Sequence, residues 1–149
     1  IWAKDNAQLI KAMQADGHEI GNHGYNHKLP THISSDETRK EISTTDTIIT
    51  EITGTKPKLY APPAGDFNKE TLKTARSLGY KTIMWSIDTI DWRDKDTEKI
   101  QNRVMKNLKP GAFVLMHPTA NTLEALKSMI SQIKEQGYTF KTVSEMLEI

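Results

Sequence analysis

The chain has 149 residues and a net charge of +1, because 20 lysine and arginine residues balance 19 aspartate and glutamate residues. Its length predicts one domain, and its hydrophobic fraction of 36% is a little low for a globular protein but leaves enough aliphatic and aromatic residues for a core. The longest uncharged apolar run, 112–117, is far shorter than the roughly 20 residues of a transmembrane helix. Balanced charge argues against sequence-independent nucleic-acid binding, and the absence of cysteine excludes disulfides and thiolate metal sites.

Helical and strand-like patterns alternate along the chain. In chain order we predict a helix over 5–16, a strand over 18–22, a helix over 35–53, a strand over 59–61, a helix over 69–78, a strand over 80–87, a helix over 97–108, a strand over 112–116, a helix over 122–136, a strand over 138–140 and a short helix after Thr142. Strands that alternate with helices pair in parallel through right-handed crossovers, which predicts an α/β fold.

Capping residues and helical spacing refine these elements. Ser34 and Glu37 have the spacing of a capping box. We also expect Asp5, Asn68, Asp96 and Asn121 to begin their helices. Apolar spacing predicts that Leu72 and Leu123 are buried, and that the strand over 80–87 is buried on both faces.

Chemically capable side chains follow four of the predicted strands. In parallel α/β folds the chemistry lies at the carboxyl ends of the strands. The four segments are His23 with His27, Pro62–Gly65, Asp88 with Asp91, and His117. We therefore expect them to meet on one face of the fold.

His23 and His27 are four residues apart, which would place them on the same side of a helical segment. Neutral imidazole is the commonest metal ligand, so the pair is a candidate chelate. The spacing alone is more often that of ordinary loop histidines, and the position after a strand favours a metal site. His18 and His32 have no partner at ligand spacing, so we expect no ligand role for them.

The loop after residue 87 contains Asp88, Asp91 and Trp92. The carboxylates could act as ligands, bases or partners of a histidine, or could bond their own loop backbone. Trp92 is a candidate apolar wall for a ligand. His117 has a candidate partner in Asp91, because a neighbouring carboxylate stabilises a protonated imidazole and suits a general acid.

Pro62 and Pro63 fix the backbone before Ala64 and Gly65. The N–H groups of Ala64 and Gly65 could then serve as oxyanion donors. A rigid turn without a chemical role is the alternative that this segment alone favours.

The order of these segments resembles the polysaccharide deacetylases of the NodB-homology type, carbohydrate esterase family 4, and in particular sporulation-type bacterial members. Residues 17–27 resemble the family's metal-binding histidine motif, 85–92 its fourth motif and 115–117 its fifth. Residues 61–65 stand in the place of its third motif. The resemblance covers essentially the whole chain.

The resemblance implies an α/β fold, a distorted (β/α) barrel. The family's Asp-Asp segment, which supplies the base and a third metal ligand, does not occur in this sequence. Because the chain also starts at Ile1 without Met, we expect residues 1–149 to be an N-terminally incomplete deacetylase domain that lacks its first strand or strands. A signal or anchor would lie upstream, on a protein that is extracellular or faces the cell wall.

The implied reaction is metal-dependent removal of N-acetyl groups from peptidoglycan or chitin-like sugars. In this family pattern, His23 and His27 hold a divalent ion, usually zinc, and His117 protonates the leaving amine. The other implied roles belong to Asp91, which tunes that histidine, Ala64, whose backbone holds the oxyanion, and Trp92 and Leu115, which line the acetyl pocket.

Ala61 stands where the family usually has an arginine that orients the base. We therefore hypothesise lower activity than in an arginine-bearing relative. The alternative function is a weakly active or inactive glycan-binding protein on the same scaffold, with a role in wall or spore assembly. The expected partner is an N-acetylated polysaccharide, with no nucleic acid and no membrane span, and we expect a monomer.

Overall fold

The computed structural model describes the whole chain, from Ile1 to Ile149. The chain divides into two compact units, Ile1–Met84 and Trp85–Ile149. Helices dominate both units, and each of the four strands is two residues long. None of the helices combines the length and the hydropathy that are needed to cross a bilayer.

The first unit contains four helices and two strands. They are α1 (Trp2–Asp5), α2 (Ala7–Ala15), α3 (Ser35–Thr53), β1 (Leu59–Tyr60), α4 (Lys69–Ser77) and β2 (Lys81–Thr82), with 3₁₀ turns at Pro30–His32 and Pro63–Gly65. β1 pairs in parallel with β2, and Asn22 forms a parallel bridge to Tyr60. Ile42, Tyr60, Ala75 and Tyr80 form one buried cluster of this unit, and Ile10, Ile49 and Leu59 are buried as well.

Side-chain caps fix the starts of α3 and α4 in the first unit. α3 begins after Ser34, which forms the predicted capping box with Glu37, and ends at Gly54 with φ of 71°. α4 begins after Asn68, whose side chain accepts a hydrogen bond from the N–H of Thr71. The predicted bounds of α3 are confirmed, and α4 differs from its prediction only at its last residue.

The second unit packs two helices against a pair of strands. Its elements are β3 (Ile87–Asp88), α5 (Thr97–Asn107), β4 (Val114–Leu115), α6 (Ala120–Glu135) and α7 (Val143–Leu147). β3 and β4 are parallel. The core comprises Ile87, Ile100, Val104, Ala125, Met129 and Ile133. Because the strands are parallel neighbours, their carboxyl ends lie side by side and bring together the loops that follow them.

Several predicted strands are wrong or shorter than expected. Residues 80–87 do not form one strand, because 81–82 pair with β1 while 87–88 pair with β4, and Met84 between them is exposed. Residues 138–140 form no strand, and 18–22 is reduced to the single bridge at Asn22. A strand exists only where a partner backbone satisfies its hydrogen bonds, and the local pattern does not identify that partner.

Two predicted helix starts are also wrong. The helix over 5–16 is interrupted at Asn6, so Asp5 ends α1 and does not cap α2. α6 begins earlier than predicted, because Thr119 and not Asn121 accepts the capping hydrogen bond from Thr122.

Two leucines that apolar spacing predicts to be buried are exposed. Leu72 is 39% exposed and Leu123 is 60% exposed. Their neighbours Thr71 and Ala125 are buried instead. Ala75 and Ile133, on the same predicted apolar faces, are buried. The apolar spacing therefore identifies the helices and part of each buried face, whose exact extent depends on the elements packed against it.

Candidate functional sites in the two units

The histidine loop, residues 23–27, begins where Asn22 joins the edge of β1. The N–H of Asn22 donates to the carbonyl of Leu59 at 2.9 Å, and the N–H of Ala61 donates to the carbonyl of Asn22 at 3.0 Å. These two bonds place His23 beside Ala61.

His23 has a fixed orientation. Its Nδ1 lies 2.6 Å from the carbonyl oxygen of Ala61. A carbonyl can only accept, so the proton of the neutral ring is on Nδ1 and its lone pair is on Nε2. Metal-ligating histidines commonly show this arrangement, with one ring nitrogen donating to an oxygen and the other facing the ion.

His27 reaches His23 through a turn and not through a helix. Its φ is 57°, a left-handed conformation that is uncommon for residues other than glycine. The two ring centroids are 5.0 Å apart with an angle of 69° between the planes. The segment is a loop and not a helix, so the helical condition on this spacing is not met, but the turn brings the two imidazoles together, and both residues are exposed.

Glu41 on α3 holds the histidine loop from the inside. Its Oε2 accepts the backbone N–H groups of Tyr25 at 3.0 Å and Asn26 at 2.6 Å. Its Oε1 accepts the side-chain amide of Asn26 at 2.8 Å. Sequence reasoning missed this residue, although a signal existed. Its spacing matches that of the other buried positions of α3, which are Thr38, Ile42, Thr45 and Ile49.

The donor set of the histidine loop fits part of a divalent-ion site. Two neighbouring imidazoles, one of them oriented by a carbonyl, can supply two nitrogen ligands. No cluster of three or more His, Asp or Glu residues suited to a metal ion occurs in the chain. The residues present therefore account for two ligands of such an ion.

The predicted oxyanion turn is partly corrected by the structure. The N–H of Gly65 donates to the carbonyl of Pro62 at 3.0 Å, so it serves the turn itself and is not directed at a substrate. Ala64 is exposed and has φ of 54° and ψ of 17°. Its role as an oxyanion donor stays a prediction.

In the second unit, Asp91 and His117 are in direct contact. The Asp91 side chain is fully buried, whereas 45% of the His117 side chain is exposed. Oδ1 of Asp91 lies 2.7 Å from Nδ1 of His117. Oδ2 accepts the backbone N–H of His117 at 2.6 Å and the hydroxyl of Thr122 at 2.7 Å. Sequence reasoning anticipated the pairing and missed Thr122.

These contacts determine the charge state of Asp91. Burial raises the pKa of the carboxyl group, but hydrogen bonds from the backbone and ring of His117 and from the Thr122 hydroxyl outweigh it. The net pKa lies below the ordinary value of 3.8. Asp91 is therefore an ionised carboxylate at neutral pH, with a histidine ring as its neighbour.

The turn before Asp91 is strained and tied down. Asp88 Oδ1 accepts a hydrogen bond from the N–H of Ile90 at 2.8 Å. Asp88 therefore bonds its own loop backbone, which the sequence offered as the alternative to a chemical role. Ile90 has φ of 54°, an outlier for a β-branched residue. Arg103 donates to the carbonyl of Thr89 at 2.8 Å and also pairs with Asp94. Such strain persists only where surrounding contacts enforce it.

The two predicted pocket residues have different environments. Trp92 is 60% exposed, and the guanidinium of Arg93 lies 6.0 Å from the centroid of its ring. Leu115 is half-buried on β4, and its carbonyl accepts from the N–H and the hydroxyl of Thr89. Their role as an acetyl pocket stays a prediction.

Known sequences resemble this chain along its whole length. An uncharacterized protein of Bacillus subtilis, YlxY, is 40% identical and covers 99% of this chain and 46% of its own length. The peptidoglycan-N-acetylmuramic acid deacetylase PdaA of Bacillus subtilis is 36% identical, and the match covers 98% of this chain and 57% of PdaA. A peptidoglycan-N-acetylglucosamine deacetylase of Bacillus cereus is 38% identical, and the match covers 95% of this chain and 69% of that deacetylase. The chain thus spans about half the length of the first two relatives.

Solved structures and a family profile agree with these relatives. A CE4 family pseudoenzyme from Bacillus anthracis superposes with a TM-score of 0.94 at 42% identity, over 98% of this chain and 52% of its own. A mutant of that pseudoenzyme, described as having restored enzymatic activity, also has a TM-score of 0.94, with 41% identity over 98% and 54%. The profile described as "Polysaccharide deacetylase" matches residues 1–83. The chain therefore belongs to the polysaccharide deacetylase family and has the NodB-type fold of carbohydrate esterase family 4.

Proposed function

We propose that residues 1–149 are part of one catalytic domain that hydrolyses N-acetyl groups of peptidoglycan. Family membership supports a deacetylase, and two relatives named as peptidoglycan deacetylases support the polymer. The observation that carries the proposal is the contact of the buried Asp91 carboxylate with the half-exposed His117. This pairing fixes Nδ1 of an imidazole that is partly open to solvent, so the buried carboxylate sets the orientation of the ring.

His117 is the proposed general acid. Nδ1 of His117 is hydrogen-bonded to the Asp91 carboxylate, so Nε2 is the nitrogen that exchanges a proton with the substrate. In the imidazolium form, Nε2 donates its proton to the departing amine nitrogen as the carbon–nitrogen bond breaks. The neutral ring that results keeps its proton on Nδ1, where it is hydrogen-bonded to the Asp91 carboxylate. General acid catalysis of this kind contributes about 10²–10⁴-fold to a rate.

His23 and His27 are the proposed protein ligands of a divalent ion, with zinc as the expected metal. Such an ion would supply Lewis-acid polarisation of the acetamide carbonyl. The carbonyl of Ala61 sets the orientation of His23 for this role. Ala64, Trp92 and Leu115 are the proposed contacts of the acetyl group.

A peptidoglycan deacetylase would face the cell wall, and sporulation is the proposed context of its activity.

A second candidate function is glycan binding with little or no turnover. The specific observation in its favour is Ala61, which stands where the family resemblance expects an arginine. The similar solved structure described as a pseudoenzyme points in the same direction. In this alternative, the histidine loop and the Asp91–His117 pair would bind sugar without completing the reaction.

Acetate release separates the two functions. The complete protein is incubated with N-acetylated peptidoglycan, with and without a chelator, and zinc is then added back. Deacetylation predicts acetate that disappears with chelator, returns with zinc, and is strongly reduced in His117→Asn. Peptidoglycan binding without chelator-sensitive acetate would reject the enzyme and support the glycan-binding alternative.

A further inference from the structure

We propose that Glu41 is a positioning residue for the histidine loop, and that it acts through its hydrogen bonds and not through its charge. In this arrangement Glu41 builds the turn that places His23 and His27 side by side. The metal-binding part of this inference rests on the proposed function, in which the two histidines are ligands.

Three consecutive backbone N–H groups of the loop point to the interior. Gly24 donates to Oδ1 of Asn22 at 3.0 Å, and Tyr25 and Asn26 donate to the same oxygen of Glu41. Successive amides that converge on one acceptor oxygen form a concave backbone site, and the position of that oxygen fixes the turn. Here the acceptor is a side chain of α3, so the loop is folded around a part of the protein itself.

Glu41 is an unusual occupant of its position. It is 9% exposed and belongs to the buried face of α3. No lysine, arginine or histidine forms an ion pair with it. Burying an unpaired carboxylate is unfavourable unless hydrogen bonds satisfy it. The three donors of Tyr25 and Asn26 do so, and all three belong to the histidine loop.

The loop needs such an anchor because its backbone is strained. His27 has φ of 57°, and a left-handed conformation of a residue with a Cβ persists only where its surroundings enforce it. The three bonds to Glu41 end one residue before His27. If they are removed, we expect His27 to relax and the 5.0 Å arrangement of the two rings to be lost.

Two conservative variants separate reach from charge. Glu41→Gln keeps the length: its amide oxygen accepts the two backbone N–H groups, and its NH₂ donates to Asn26 after that side-chain amide flips. Glu41→Asp keeps the charge but shortens the side chain by one methylene, about 1.5 Å. Positioning by hydrogen bonds predicts that Gln replaces Glu41 well and that Asp does not.

The first measurement is zinc affinity of the complete protein, by competition with a chromophoric chelator. We expect Glu41→Gln to stay within a few-fold of the native protein. Glu41→Asp should bind zinc about 10–100-fold more weakly, the usual effect of removing a group that orients a metal ligand. Glu51→Ala is the matched control on α3, because Glu51 is exposed and distant in sequence from the loop contacts. An affinity of Glu41→Gln that is no higher than that of Glu41→Asp overturns the inference.

Amide hydrogen exchange of the metal-free protein is the second measurement. The N–H groups of Tyr25 and Asn26 should be protected in the native protein and in Glu41→Gln, and should lose protection in Glu41→Asp. If Glu41→Asp does not fold, Asn26→Ala replaces it, since it removes one of the three bonds at an exposed residue. Unchanged protection of Tyr25 in that variant and unchanged zinc affinity would overturn the inference.

The same two measurements distinguish failure of the proposed metal role from failure of the proposed positioning role of Glu41. If the native protein and His23→Ala bind zinc equally, the two histidines are not ligands and the proposed metal role fails. The exchange of Tyr25 and Asn26 still decides whether Glu41 positions the loop.

Discussion

Replacing Asp91 with Asn tests the Asp91–His117 pair, because it removes one charge and preserves the shape of the side chain. An asparagine whose oxygen takes the place of Oδ2 keeps the hydrogen bonds from the N–H of His117 and the hydroxyl of Thr122. Its NH₂ then faces Nδ1 of His117, where the native carboxylate accepts at 2.7 Å. The neutral ring must turn a lone pair to that NH₂, so its proton moves to Nε2.

The expected loss of stability follows from these three bonds. A hydrogen bond to a charged group contributes about 1.5–3 kcal/mol, and a neutral one about 0.5–1.5 kcal/mol. Each retained bond is therefore weaker by about 1 kcal/mol, while the amide avoids the unfavourable burial of a charge. We expect the free energy of unfolding to fall by about 1–3 kcal/mol. Acetate release should fall about 10²–10⁴-fold, since the imidazolium loses its carboxylate.

The pH dependence gives the sign of the effect. The pKa of Asp91 in the folded protein lies below its ordinary value of 3.8, because the hydrogen bonds outweigh burial. Stability from such a group is fully present above the unfolded pKa and is lost as the pH falls through the folded pKa. The native protein should therefore lose stability as the pH falls below about 4, and the difference between native and Asp91→Asn should shrink there.

Urea unfolding between neutral and acidic pH and acetate release at neutral pH are the two assays. Asp88→Asn is the matched control, because Asp88 accepts only the local N–H of Ile90 and an asparagine oxygen can replace it. That control should be nearly native in both assays. Native turnover in Asp91→Asn, or an acid dependence of unfolding identical to that of the native protein, would refute the roles assigned to the pair.

Two further predictions address the first unit. Ala61→Arg in the complete protein should fold normally, because the contacts of residue 61 with Asn22 and His23 use its backbone. Acetate release should increase, because the family resemblance expects an arginine here that orients the base. Unchanged or reduced turnover would contradict the hypothesis that this alanine lowers activity. Gly24→Ala should lower the free energy of unfolding by about 1–2 kcal/mol, because Gly24 has φ of +79° while its added Cβ would meet ordinary contacts at 3.5 Å and 3.7 Å. Gly21→Ala, with no positive φ, is its control, and equal losses of stability in urea unfolding would count against this reasoning.

Most helix bounds were predictable from the sequence because helix ends depend on nearby residues, and the starts of α2 and α6 are the exceptions. The capping boxes at Ser34 and Thr142 lie within a few residues of the helices that they begin. Strands depend on distant backbone, and the segment over 80–87 shows the consequence. Its apolar run suggests one strand, yet its two ends pair with different partners, 59–60 and 114–115.

The site was predictable where strand topology determines it. Asp91 and His117 follow parallel neighbouring strands, so an α/β pattern alone predicts that they approach each other. Glu41 and Thr122 could not be found that way, because each acts from a helix on a loop that is distant in sequence. A charged residue at a buried helical position is the signal that identifies Glu41 in retrospect.

His23 and His117 differ in the oxygen that lies against Nδ1. His23 contacts the neutral carbonyl of Ala61, whereas His117 contacts the ionised carboxylate of Asp91. A carbonyl orients a neutral imidazole whose Nε2 lone pair can bind a cation, and a carboxylate can stabilise an imidazolium whose Nε2 can release a proton. The same side chain is thereby suited to ligation in one unit and to acid catalysis in the other. Because the contact to His23 uses only the backbone of residue 61, the side chain there can vary without moving this histidine, whereas a change at Asp91 alters His117 directly.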